Sequence, residues 1–288
     1  MNSSVFLATL FGVCTAISNA LAVITQHVAS SRLPSRGRGW RFVLDLLRQP
    51  LWLLGWFALA GSLVFQALAL HFGSVGLVQP LLISELVIAL IIRRAWFKQR
   101  LKKSTVLSSI ATSALLAAFI VYAAPHGGRQ NSNGSTWLLV LVVGSLSVGA
   151  LILGARNGSP RKRAGLFGMA TALSWAVEAA LIKSTTDSIA ASGFLGALAH
   201  WPIYAFVICG VVGLYCEQSA LHVGPLGVSQ PLIVIFDPLV SVALGALLFA
   251  ERWPGGVIHT TVGLFLLILI SLAAWIVIRT GPETMTAN

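Results

Sequence analysis

Residues 69–83 read ALHFGSVGLVQPLLI and residues 220–234 read ALHVGPLGVSQPLIV. Eight of these fifteen positions are identical, and they include a histidine, two glycines and a Gln-Pro pair. A second pair of segments, LFGVCTAISNA at 10–20 and LFGMATALSWA at 166–176, shares seven of eleven positions. The two pairs are offset by 156 and 151 residues. Such self-similarity at a nearly fixed offset indicates an internal repeat.

The composition of the chain excludes a soluble protein. Of its 288 residues, 57% are hydrophobic and 9% are charged, and the mean hydropathy is +0.87. A soluble domain carries about 25% charged residues, so this chain has too few charges for a solvated surface. Its high apolar content also excludes disorder. The three cysteines lack metal-ligand spacing and predict no disulfide framework. The composition therefore predicts a polytopic membrane protein.

Apolar stretches of about 20 residues are long enough to cross a bilayer as helices. Nine such stretches are present, at 4–28, 51–71, 75–92, 105–123, 137–154, 164–183, 198–215, 225–249 and 257–278. The segment 40–48 between the first two favours either a short amphipathic helix on the membrane surface or an ordinary charged linker. The chain is therefore expected to have about nine transmembrane helices.

Three loops hold most of the positive charge. The formal net charge is +11, and 15 of the 19 Lys and Arg residues lie between spans 1 and 2, 3 and 4, and 5 and 6. The intervening loops hold only Arg129, Lys183 and Arg252. By the positive-inside rule the three basic loops are cytoplasmic, the N-terminus is outside and the C-terminus is cytoplasmic. We expect the chain to be integral to the plasma membrane, and its charge to set topology rather than bind nucleic acid.

The two copies of the repeat are separated by an odd number of spans, so they cross the membrane in opposite senses. The predicted fold is an all-α polytopic membrane protein with two inverted-topology repeats (5+4) in one integral membrane domain. Residues 1–155 form the first repeat with spans 1–5, and residues 156–288 form the second with spans 6–9. Inverted repeats are typical of secondary transporters, which alternate access around a midplane site. Pro80 and Pro231 are predicted to bend their helices there.

Three acidic residues fall within predicted spans, where a charge costs about 2.5–3.5 kcal/mol on insertion scales. They are Glu85, Glu178 and Asp237. Glu85 and Asp237 differ by one position between the repeats, which favours a facing pair that binds a cation or a proton. The alternative is that each acid is protonated or hydrogen-bonded to a neighbouring helix. Glu178 shares a helix face with Thr171 and Ser174.

Amides complete the candidate site. Gln79 and Gln230 precede the two prolines, and Gln230 shares a face with Asp237. Asn19 belongs to a polar stripe on the first span, which either faces substrate or forms a packing seam of small residues. His71 is expected to cap or stabilise a turn at a helix end. No hydrolase, protease or nucleotide-binding motif is present, so we expect no enzyme activity and no cofactor.

A family resemblance rests on three motifs. They are Pro50-Leu-Trp-Leu-Leu-Gly55, the Ala-Leu-x-x-Gly-x-x-Gly-x-x-Gln-Pro-Leu segments and Gly245-Ala-Leu-Leu-Phe-Ala-Glu-Arg-Trp253. Over about residues 5–280 the chain resembles the drug/metabolite transporter (EamA-like) superfamily, and its layout of nine spans is similar to the NIPA-like magnesium transporter branch. The resemblance implies transport of a small solute. The first repeat has Gln99-Arg100 where the second has Glu251, so a role for Glu251 does not extend to both halves.

Two classes of function follow. The first is a secondary transporter for a small metabolite with proton or cation coupling, or for Mg²⁺, with Glu85 and Asp237 as metal ligands beside the carbonyls of Gln79 and Gln230. A lipid-linked sugar carrier is a variant of this class. The second is a membrane assembly or regulatory subunit that keeps the fold without transport. Expected partners are a small-molecule or ion substrate and membrane lipids but no nucleic acid, and a homodimer is left open.

Overall fold

The elements of the protein are helices throughout the part that its computed structural model describes, which is residues 3–31, 49–97, 102–123, 133–224, 226–252 and 255–280. A π-helical turn, Phe119–Ala123, directly follows the α-helix Lys103–Ala118. The helices are α1 Ser3–Ser31, α2 Pro50–Phe72, α3 Val75–Leu82, α4 Ser84–Phe97, α5 Lys103–Ala118, α6 Gly134–Gly154, α7 Pro160–Ala197, α8 Pro202–Val223, α9 Leu226–Phe249 and α10 Gly256–Thr280.

Nine spans in the described residues are long and apolar enough to cross a membrane, with α3 and α4 together forming the third. The predicted count of about nine spans is confirmed, and these helices are consistent with an integral membrane protein. Side chains on their outer faces, such as Phe57, Leu107 and Leu195, are large, apolar and exposed, which suits contact with lipid. The predicted amphipathic helix at 40–48 lies outside the described residues.

The third span is divided at Ile83 into α3 and α4. The backbone N–H of Ile83 donates to the carbonyl oxygen of Pro80 at 3.2 Å, and that of Leu86 donates to Ile83 at 3.2 Å. These are tight i→i+3 turns rather than α-helical bonds. In the second repeat α9 continues as one helix past position 231. The side chains of Gln230 and Pro231 lie outside the described set, so a bend at Pro231 stays a prediction.

The sixth span differs most from its prediction. A span at 164–183 followed by a loop was expected, whereas α7 runs over 38 residues and loses helical geometry at Gly193, where φ is 73°. Lys183 is therefore a buried helical residue, and its placement in a loop was wrong. The physical reason is that its ammonium group donates hydrogen bonds to backbone carbonyls of α2, so the cation is accommodated inside the bundle.

Equivalent helices pack in the same way in the two halves. Helix α1 lies along α2 and also contacts α3 and α4, while α7 lies along α8 and contacts α9. At the end of α2, Gly73 lies against the methyl group of Ala8. At the end of α8, Gly224 lies against the methyl group of Ala164, which is the counterpart of Ala8 at the offset of 156. The halves meet through α3 with α9, α5 with α10, and α2 with α7.

Candidate functional site

The first polar site combines two acidic side chains from different spans. Glu178 lies on α7 and Asp237 on α9, and their carboxylates are close enough for their charges to interact. The hydroxyl of Ser241, one turn beyond Asp237, donates to Asp237 Oδ1 at 3.1 Å. Helix α7 packs directly along α9, which brings the two acids together. The Glu178–Asp237 pair is therefore an acidic site shared by two membrane-spanning helices.

Helix α8 leaves room for this pair. A methyl group on Gly210 would lie 2.9 Å from Glu178 Oε1, so the missing side chain accommodates the carboxylate. One residue earlier, the thiol of Cys209 donates to the carbonyl oxygen of Ser174 at 3.1 Å. The hydroxyls of Thr171 and Ser174 bond carbonyls one turn back in their own helix. The predicted polar face of α7 thus provides one charged group, Glu178, rather than a row of free hydroxyls.

The second polar site centres on Glu85, where α4 packs against α1. Glu85 is in the first turn of α4, and the side chain of Asn19 on α1 hydrogen-bonds to it. The charge of Glu217 on α8 interacts with Glu85 as well. Asn19, which the sequence left between substrate contact and packing, therefore contacts a predicted site residue. The Glu85–Glu217 pair is a second acidic site inside the bundle.

The two acidic pairs lie at different depths. Gly210 contacts Glu178, and Glu217 is seven residues further along the same helix, which is a rise of about 10.5 Å at 1.5 Å per residue. No described contact joins Glu85 to Asp237, so their predicted facing stays a prediction. Gln79 is buried, and its Nε2 atom has no hydrogen-bond partner among the described residues.

A third polar cluster surrounds the two residues, Gly73 and Ser74, that join α2 to α3. Lys183 Nζ donates to the carbonyl oxygens of Leu70 at 3.0 Å and Gly73 at 2.8 Å. The Glu251 carboxylate accepts from the backbone N–H groups of Val75 at 2.7 Å and Gly76 at 3.0 Å.

Both charged side chains in this cluster are buried, and Lys183 also lies 5.4 Å from the centre of the Phe249 ring. Burial raises the pKa of Glu251, while the N–H of Gly76, the charge of Lys183 and the N–H of Val75 oppose that shift. The carboxyl group is therefore held by two backbone N–H donors, and the charge of Lys183 favours its ionised form.

Sequence reasoning missed most of this third cluster. Asp187 follows Lys183 by one helical turn, is buried, and lies 3.8 Å from Nδ1 of His71 through its Oδ1 atom. A Lys and an Asp four residues apart can share a helix face, and that spacing at the end of an apolar stretch is the signal that could have found them. His71 was expected only to cap or stabilise a turn.

The described residues do not form a metal cage. Among them no three His, Cys, Asp or Glu side chains come together as a metal ligand set. Mg²⁺ takes near-octahedral oxygen ligands but keeps several waters and often uses one or two carboxylates. Glu178 and Asp237, on packed helices, match that number of carboxylates, and no described contact joins the predicted metal ligands Glu85 and Asp237.

Fold and site together define a polytopic helical membrane protein with acidic pairs inside its spans. No family model matches the chain, and no solved structure matches it. The chain is similar to an uncharacterized protein of Corynebacterium glutamicum, with 26% identity over 248 residues that cover 86% of each chain. The resemblance to the drug/metabolite transporters stays a prediction.

Proposed function

We propose that the chain is a secondary transporter of the drug/metabolite type that moves a small solute by alternating access around the Glu178–Asp237 pair. The observation that carries the proposal is that two helices which pack along each other, α7 and α9, each carry an acidic residue inside an apolar span. Placing one charge at this depth costs about 2.5–3.5 kcal/mol on insertion scales. A pair of such groups on neighbouring helices suits reversible binding of a proton or a cation.

The repeated packing supports alternating access. Each half places a small-residue contact where its second helix ends, Gly73 with Ala8 and Gly224 with Ala164. Inverted repeats would provide two similar bundles that exchange inward-open and outward-open shapes around a site between them. We infer that the repeats are inverted, with the N-terminus outside and the C-terminus cytoplasmic in the plasma membrane, because the basic loops alternate with loops that hold few cations.

The presence of acids inside the spans supports proton or monovalent cation coupling. A carboxyl group can take up and release a proton, which an apolar side chain cannot do. The Glu85–Glu217 pair lies about 10.5 Å further along α8 and would extend the same path toward the other membrane face. Mg²⁺ as the transported ion is the second form of the proposal, held by one or two carboxylates with its remaining waters.

The test is flux into proteoliposomes that contain the purified full chain. A panel of radiolabelled amino acids, cationic drugs, sugars and Mg²⁺ is measured with and without a pH gradient. Glu178→Gln and Asp237→Asn, singly and together, are expected to lower the gradient-dependent flux at least tenfold, because an amide cannot exchange a proton or balance a cation. Glu283→Gln makes the same chemical change near the end of the chain and is expected to leave the flux unchanged.

Two results would contradict the proposal. Full flux in the Glu178→Gln/Asp237→Asn double variant would remove the pair from the mechanism. Absence of flux for every solute from a monodisperse, helical preparation would favour a membrane subunit that keeps the fold without transport. Size-exclusion chromatography and circular dichroism of each variant establish that a lost flux does not reflect lost folding.

A further inference from the structure

The junction between α2 and α3 contains two helix ends of opposite polarity. The last carbonyls of a helix carry partial negative charge and its first N–H groups carry partial positive charge. Here the ammonium group of Lys183 bonds two carbonyls at the end of α2, and the carboxylate of Glu251 bonds two N–H groups at the start of α3. Ser74 accepts from the N–H of Leu77 at 3.1 Å and completes the cap of α3.

Both charged residues come from the other half of the chain. Lys183 is 113 positions from Leu70, and Glu251 is 176 positions from Val75. Glu251 reaches the junction because Ala250 adopts a left-handed conformation, with φ of 52°, where α9 ends. The backbone N–H of Glu251 then bonds the carbonyl oxygen of Gly245 at 3.2 Å. The contacts therefore tie α2 and α3 to α7 and to the end of α9.

The junction lies above the Glu178–Asp237 pair. Lys183 is five residues beyond Glu178 on α7, a rise of about 7.5 Å. Because successive spans reverse direction, the α2–α3 junction and the segment after α9 lie at one end of the bundle. The loops between spans 1 and 2, 3 and 4, and 5 and 6, which hold most of the cations, lie at the opposite end.

We propose that Lys183 and Glu251 form a latch that closes this end of the bundle above the Glu178–Asp237 pair. The latch rests on the proposed transport function, in which the closed end is one of the two access states. Each side chain acts by capping a helix end rather than by pairing with the other. The chemistry predicts that exchanging the two charges does not rebuild the latch, because an ammonium group at N–H donors and a carboxylate at carbonyl oxygens both repel.

Hydrogen–deuterium exchange of the purified full chain tests the latch without any substrate. Lys183→Met and Glu251→Gln are each expected to speed exchange of the peptide covering 74–78 at least tenfold. The double variant Lys183→Glu/Glu251→Lys is expected to exchange at least as fast as either single variant. Matched controls are Lys162→Met on the exposed part of α7 and Glu217→Gln in the second acidic pair, and both are expected to leave this peptide as protected as in the wild type.

Three results would overturn the latch. The first is unchanged protection of the peptide 74–78 in either single variant. The second is restored protection in the exchanged double variant, which would indicate a simple ion pair. The third is loss of protection in the control variants. Should Glu251→Gln fail to fold, Gly245→Ala replaces it, because an added methyl group there collides with the Glu251 carboxylate while leaving both charges in the chain. It is expected to speed exchange in the same peptide at least tenfold.

Labelling from the aqueous phase provides the second measurement. Ser74 is buried. A cysteine is introduced there by Ser74→Cys, in a variant that lacks Cys14, Cys209 and Cys216. In the latched protein this cysteine is expected to react slowly with a membrane-impermeant maleimide in proteoliposomes. Adding Lys183→Met is expected to raise that rate at least fivefold, and an unchanged rate would contradict closure.

The two proposals fail separately. The latch alone would be contradicted if flux depends on Glu178 and Asp237 while exchange of the peptide 74–78 does not change in the Lys183 and Glu251 variants. A junction that responds as expected without flux of any solute would remove the transporter alone.

Discussion

The α2–α3 and α8–α9 junctions share eight of fifteen sequence positions, but the two residues that cap the first junction have no chemical equivalent at the matching positions of the first repeat. Both follow an Ala-Leu-His-x-Gly segment, and both place the glycine against an alanine of the first helix of their half. Among the described residues, the first junction receives a buried cation and a buried carboxylate. At the positions that match Lys183 and Glu251, the first repeat has His27 and the pair Gln99-Arg100.

This difference indicates that the repeated sequence specifies the turn. It does not specify the side chains that hydrogen-bond to the free N–H and carbonyl groups at the two helix ends. A turn needs a small residue where two backbones approach, and both copies keep that glycine. The polar backbone groups exposed by the turn must find partners wherever the bundle provides them. In the first junction these partners come from the other half, so the same motif becomes a contact between halves.

Removing the cation at the first junction is expected to have the largest effect on stability. Lys183→Ala leaves the carbonyl oxygens of Leu70 and Gly73 without their donor, and each buried group left unsatisfied costs about 1–3 kcal/mol. The free energy of unfolding, measured by denaturation with SDS in mixed micelles, checks this value. Lys162→Ala on the same helix is expected to change it by less than about 0.5 kcal/mol, and an equal loss in both variants would contradict the buried role.

The glycines test whether the two junctions pack alike. Gly73→Ala and Gly224→Ala each place a methyl group against an alanine methyl, and Gly224→Ala also meets the Pro160 carbonyl oxygen. Overpacking of this kind costs about 1–3 kcal/mol, so both variants are expected to lower the unfolding free energy by similar amounts. Gly61→Ala, which meets nothing within 4 Å, is expected to stabilise α2 by about 0.5–1 kcal/mol.

A loss at only one of the two positions would break the equivalence of the junctions. A loss at Gly61 equal to that at Gly73 would show that crowding is not the cause.

The helix cap of α3 distinguishes the first junction from the second, where Pro225 replaces Ser74. Ser74→Ala removes the oxygen that accepts from the N–H of Leu77 and is expected to cost about 1 kcal/mol, as for other N-caps. Thermal unfolding followed by tryptophan fluorescence measures the change. Ser113→Ala on the exposed face of α5 serves as the control, and a shift as large as that of Ser74→Ala would contradict a specific cap.

The smallest effect is expected at Ala250, which turns the chain back toward the junction in a left-handed conformation. Ala250→Gly removes a steric cost of about 1–2 kcal/mol, partly offset by the greater freedom of glycine in the unfolded chain. We expect a small rise in thermal stability. Ala246→Gly, in the exposed part of α9, is expected to lower stability by about 1 kcal/mol, so changes of the same sign would contradict the assigned strain.

Much of the fold was predictable because a membrane demands long apolar helices. The nine spans follow from hydropathy, and the divisions near 73 and 224 follow from glycine and proline. The length of α7 was not predictable in this way. A hydropathy scale treats Lys183 as a reason to end the span, although the carbonyl oxygens of Leu70 and Gly73 compensate its charge in the folded bundle.

The candidate site was predictable only in its components. Glu85, Glu178 and Asp237 stand out because acids are rare in apolar spans, but their partners depend on how helices pack. Symmetry between the repeats suggested Glu85 with Asp237. The structure places Glu178 and Asp237 on the packed helices α7 and α9 and gives Glu85 the side chain of Asn19 as a partner, while the facing of Glu85 and Asp237 stays a prediction.

The sequence by itself determined that the chain is a bundle of membrane-spanning helices with a repeated glycine turn, because solvation by lipid acts on each segment locally. Only the tertiary structure decided which groups come together, with Lys183 and Glu251 at the α2–α3 junction and Glu178 and Asp237 on two helices that pack along each other. Electrostatic and hydrogen-bond energies depend on distances between atoms far apart in the chain, and no local pattern encodes those distances.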